Sequence, residues 1–128
     1  MSNSQVHLTE LHNEHVEWNR RISFYRDEVN SFENRLADIV KANTKTEVLA
    51  PLEHFQNQFI RQKQIMDNLA HDINAYESII VNMAKENNVA TDRKRTDDHS
   101  ELRGRMNQFD KLFGELKDEF TKYLAEVY

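Results

Sequence analysis

From Leu8 to Ile39 the chain places an apolar or aromatic residue, or one histidine, at alternating steps of three and four. The series is Leu8, Leu11, His15, Trp18, Ile22, Tyr25, Val29, Phe32, Leu36 and Ile39. Because an α-helix turns once per 3.6 residues, this spacing draws a nearly straight stripe along one side of a long helix, and neither a strand nor a short helix can use it. The stripe needs partners, and two more stretches of the same rhythm supply them. The second carries Val48, Leu52, Phe55, Phe59, Gln62, Met66, Leu69, Ile73, Tyr76, Ile80 and Met83, widened by Leu49, Ile65 and Ile79. The third carries Leu102, Met106, Phe109, Phe113, Leu116, Phe120, Tyr123 and Val127, with Leu112 and Leu124 beside them.

The pattern predicts an all-α fold, an elongated antiparallel three-helix bundle running up, down, up with heptad, coiled-coil-like packing in a single domain. Helix 1 is expected over about 6–42, helix 2 over about 47–86 and helix 3 over about 92–127. Residues 1 to 5 are small and polar and are expected to fray. Asn43 suits a left-handed C-cap, Thr44 or Thr46 an N-cap, and Thr91 or Thr96 the cap of the third helix. Pro51 falls either just past the first turn or at the favoured first position. Short connections make consecutive helices antiparallel neighbours. The competing arrangement is a helical hairpin whose third arm completes a core only in a dimer.

Composition decides whether such a polar chain folds. Mean hydropathy is −0.84 and 30% of residues are charged, yet Leu, Ile, Val and Phe make up one quarter of the chain, above the roughly 20% below which disorder is expected. A slender bundle accounts for the polarity, since each helix hides only a stripe. No stretch approaches a membrane span and the start lacks a secretion signal, so a cytoplasmic location is the expectation. With no cysteine, disulfides and thiolate chemistry are excluded. A net charge of −5 argues against nucleic acid or anionic lipid as the main partner.

Trp18 on the stripe of the first helix, together with the long three-helix architecture, resembles spectrin-type repeats. The resemblance implies architecture alone: helix 3 has no matching tryptophan, and no function is carried over.

Six histidines are many for this length. An antiparallel map gathers His7, His12, His15, His71 and His99 in the half of the bundle that holds the amino terminus, with His54 towards the other end. His12 and His15 are three apart and share a helix face, so they offer two imidazoles to one metal ion, with Glu14, Asp72, Glu101 or a water completing the set. Against that reading, no histidine has a glutamate three positions before it and no two are four apart, so both common helical metal pairs are absent. His12, His71 and His99 then read as polar-face residues, and His15 alone sits on a stripe. Arg93, Lys94, Arg95, Arg103 and Arg105 form the densest basic stretch and a second alternative, a phosphate or nucleic-acid surface. Asp92, Asp97, Asp98 and Glu101 interleave with it, which favours a solvated face of mixed ion pairs. The aromatic residues lie at core spacing, and a narrow bundle offers little concavity for catalysis.

The expectation is therefore a non-enzymatic protein-interaction or scaffold module without a cofactor, whose partner is another protein or itself. Phe24 and Ile60 are large apolar residues off the stripes that an antiparallel map sets near each other, and they are the expected homodimer contact. Gln62 is expected to approach Tyr25. His15 is expected to be buried and neutral, so that His15→Leu would raise stability, and Trp18 to be a core anchor.

Overall fold

The computed structural model describes the backbone of residues 3–43, 46–84 and 89–127, and the side chains of 8–43, 46, 49–82 and 98–127. Three helices make up the described chain: α1 (Asn3–Ala42), α2 (Thr46–Ala84) and α3 (Val89–Val127). Together they form an antiparallel three-helix bundle. Helix α1 begins three residues earlier than the periodicity indicates, because nothing in the polar segment before Val6 forbids helix. Helix α3 likewise takes in Thr91, which therefore caps nothing, and Thr96 also lies inside it. Helix α1 ends at Ala42, and the side-chain amide of the following Asn43 donates to the Ile39 carbonyl at 3.0 Å and satisfies one of the acceptors a helix end leaves open. Pro51 lies inside α2 on an exposed face, where its missing N–H removes one bond near the helix start.

All three stripes face one core. Val29, Phe59, Met66, Ile73, Met106 and Phe120 are fully enclosed, and Trp18 is buried among them. Val48 and Met83, expected on the second stripe, lie outside the described side chains. Aromatic residues join α1 to α3 and α2 to α3: Tyr25 meets Phe113 with ring centroids 4.5 Å apart, and Phe120 meets Phe59 edge-on at 5.0 Å.

The register is written on both flanks of α1 in steps of seven. Towards α2, His12 bonds Glu77, Asn19 bonds Asn74 (3.1 Å), Arg26 bonds Asp67 (2.8 Å) and Glu33 bonds Lys63. Towards α3, Glu14 bonds Arg103 (2.9 Å), Arg21 bonds Asp110 (2.5 Å) and Glu28 bonds Lys117 (2.5 Å). Each pair of the second set joins positions 89 apart, as expected for two parallel helices that advance one heptad together. Exposed pairs of this kind add little stability singly. Their regular repeat instead fixes which residues meet at the ends.

Candidate functional site

Near the amino-terminal end of α1 two of the three stripes present a histidine instead of an apolar residue, His15 on α1 and His99 on α3. His15 is 1% exposed and His99 2%. His15 Nδ1 donates to Glu77 Oε2 at 2.6 Å, and His12 Nδ1 reaches the other oxygen of the same carboxylate. His15 Nε2 lies 3.2 Å from His99 Nδ1. His99 Nε2 donates to Glu14 Oε1, which also accepts from Arg103 Nη2 (2.9 Å) and Nε (3.2 Å). The result is one continuous chain, Glu77 to His15 to His99 to Glu14, crossing from α2 through α1 and α3 and back to α1. Trp18 covers it, its ring stacked on His99 at 17° with centroids 5.1 Å apart, and Tyr76 closes the other side edge-on to His15.

The electrostatics follow from who donates to whom. Burial alone would push the Glu77 carboxyl up, but hydrogen bonds from His12 and His15 outweigh it and hold the group below the ordinary carboxylate value. Glu14 is lowered in the same way, burial opposing and the bonds from Arg103 and His99 prevailing. Burial holds His99 below the ordinary histidine value, although Glu14 works in the opposite direction. Both carboxylates are thus acceptors only. Three links between four groups need three protons, and two neutral imidazoles bring two. Closing all three links at once thus takes one proton more than two neutral rings carry. With none, two nitrogen lone pairs face each other across 3.2 Å; with two, N–H faces N–H across the same gap.

A second feature lies on the remaining flank. The α2–α3 flank is joined by ion pairs at Asp72 with Arg105 (2.8 Å) and at His54 with Glu119 (3.3 Å). Between them runs a groove in two connected halves, of about 510 and 300 Å³, that share Gln62, Ile65 and Leu112. Leu69 and Phe109 line the larger half, where Gly104 leaves open space: a Cβ there would meet no atom within 4 Å.

No protein-family profile, curated protein or solved structure matches this chain.

The structure brings His12 and His15 together, but on the two oxygens of one carboxylate. Among the described residues no three His, Asp or Glu side chains are grouped to hold a metal ion. His71 pairs with its neighbour Asp72 at the surface. His99, expected on a polar face, is buried instead, and Glu77 is a member of the site that the sequence reading did not single out. Of the basic stretch, Arg103 is taken by Glu14 and Arg105 by Asp72; the side chains of Arg93, Lys94 and Arg95 lie outside the described residues. Gln62 is 5% exposed as expected, but Tyr25 gives its hydroxyl to Asp110 at 3.1 Å and the Gln62 carbonyl oxygen has no hydrogen-bond partner. Asp110 also pushes the Tyr25 phenol up, after burial as the larger cause. Phe24 and Ile60 are exposed, at 59% and 47%. Phe24 stands one turn from Arg21 and Glu28, on the α3 flank of α1, whereas Ile60 stands one turn from Lys63, on the α1 flank of α2.

Proposed function

We propose that the protein is a non-enzymatic helical module of the cytoplasm that binds another protein or a second copy of itself and needs no cofactor. The observation that carries this reading is the contrast between flanks. Four polar pairs from His12 to Glu33 join α1 to α2 and three from Glu14 to Glu28 join α1 to α3, while the α2–α3 flank is joined at two places and between them exposes an apolar groove with Leu112 at its lip. Contiguous exposed apolar surface on a small bundle marks an interaction site more often than a catalytic one. The histidine pair supports the same reading, because His15 and His99 are buried beneath Trp18 with their nitrogens turned to one another and to Glu77 and Glu14, while His12 and Glu77 line a separate opening of about 340 Å³. Among the described residues no helix is long and apolar enough to cross a membrane, so the apolar surface is not a span.

Phe24 and Ile60 are the contacts assigned to a homodimer, in which each residue serves its own flank. Light scattering at tens of micromolar tests it. The expected result is a dimer that becomes monomeric on Phe24→Glu with Ile60→Lys, with helix content and unfolding temperature little changed. A monomer at all concentrations removes self-association and leaves a heterologous protein as the partner.

A further inference from the structure

We propose that the α2–α3 groove receives one amphipathic helix of a partner protein, with an apolar stripe and basic residues along its α3-facing edge. This deepens the interaction reading above and rests on it.

The dimensions select a helix. On α2 the groove extends from His54 to Leu69 and on α3 from Glu101 to Glu119, which at ~1.5 Å per residue is roughly 22 to 27 Å, or about five turns. Its floor is apolar, through Ile65, Leu69 and Phe109, with Leu112 exposed at the edge, and a Cβ at Gly104 would meet no atom within 4 Å. Helix-in-groove recognition reads such a site through apolar residues spaced at one heptad. Gln62 lies where the two halves meet.

Charge sets the edges. On the other two flanks Arg26 meets Asp67, Glu33 meets Lys63, Glu14 meets Arg103, Arg21 meets Asp110 and Glu28 meets Lys117. Along the groove Glu101 and Glu115 on α3 have no ion partner among the described residues, and neither does Arg61 on α2. Glu101 and Glu115 are two heptads apart, so a helix continuing the bundle's own rhythm carries Lys or Arg at positions two heptads apart to face them, and an acidic residue to face Arg61.

The test uses two designed peptides of about 18 residues with the same leucine stripe, fluorescein-labelled and titrated with the full-length protein. One carries lysines two heptads apart on one edge, and the other carries glutamates there. The lysine peptide is expected to bind at least about tenfold more tightly, with the difference shrinking as salt rises. Glu101→Gln with Glu115→Gln should abolish the preference. Gly104→Met fills the groove without strain and replaces a poor helix former, so it should keep or raise the unfolding temperature while weakening binding at least about tenfold. Equal binding of the two peptides, or binding untouched by Gly104→Met, overturns the proposal. If Gly104→Met leaves binding intact while Phe24→Glu with Ile60→Lys removes it, the groove assignment is wrong and the module reading stands. If neither peptide binds and the protein stays monomeric, both fall. A dimer that Gly104→Met converts to monomer shows that a second copy occupies the groove, and overturns the assignment to a different protein.

Discussion

Because burial holds His99 below the ordinary histidine value, acid should destabilise the folded bundle. In an unfolded chain a histidine titrates near 6.5. Well below that pH the unfolded chain holds a proton at His99 that the fold disfavours. Stability rises with pH where the unfolded state binds more protons and falls where it binds fewer. A histidine held neutral by burial contributes stability that is present above about 6.5 and lost as pH falls through it. Taking His99 as fixed neutral in the fold, the loss by pH 5 is at most roughly 2 kcal/mol, about a thirtyfold change in the folding constant. Other groups titrate in the same range, so the quantity to read is a difference. Urea unfolding of the wild type and of His99→Gln, measured at pH 5, 6.5 and 8, gives it, since the amide occupies the same place without titrating. The wild-type advantage should rise from pH 5 to pH 8. An advantage that is flat, or that falls as pH rises, would refute a His99 held neutral by burial. Below about pH 4.5 a further loss is expected as Glu14 and Glu77, both held low in the fold, take up protons.

Two further outcomes follow from burial. Gln62→Met removes an amide whose oxygen is buried without a partner while keeping the side-chain volume, so it should stabilise by roughly 1 to 3 kcal/mol and raise the unfolding temperature by several degrees in calorimetry; a clear loss would show that the amide is satisfied in solution. Trp18→Ala removes a core aromatic and uncovers His99, so a cost of about 3 to 5 kcal/mol is expected in denaturant unfolding. Native tryptophan emission as red as that of the denatured wild-type chain would place Trp18 outside the core and contradict the register of α1.

The architecture was legible because stripe spacing is a property of the chain alone. Every position of the first stripe from Leu8 onward is buried or half-buried, His15 included. Helix starts were less legible. The segments before Val6 and around Thr91 carry no apolar rhythm, and helix continues through such polar residues when no strong breaker stops it. The side-chain partners of Tyr25 and Gln62 were missed for a different reason. Periodicity says which side of a helix is covered, but choosing between Asp110 and Gln62 as the partner of Tyr25 requires the lateral placement of α3, which only the packed bundle supplies.

His99 is the instructive miss, since the information was present. It stands three residues before Leu102, so the third stripe continues backward through it in the same alternation of three and four. A histidine at the end of an apolar run invites the stripe to be started one step late, whereas His15, flanked by apolar positions on both sides, does not. Once His99 is placed on its stripe, parallel α1 and α3 bring it to the level of His15 and antiparallel α1 and α2 bring Glu77 to the level of His12. Two polar residues on facing stripes at one level must then satisfy each other or cost free energy. The carboxylates that make the pairing possible come from the flanks, at Glu14 and Glu77, one on each side of α1. A polar position repeated on two stripes at the same height is therefore the sequence signal of a buried network. A single one, such as Gln62 with no counterpart at its level, leaves a buried oxygen without a partner among the described residues.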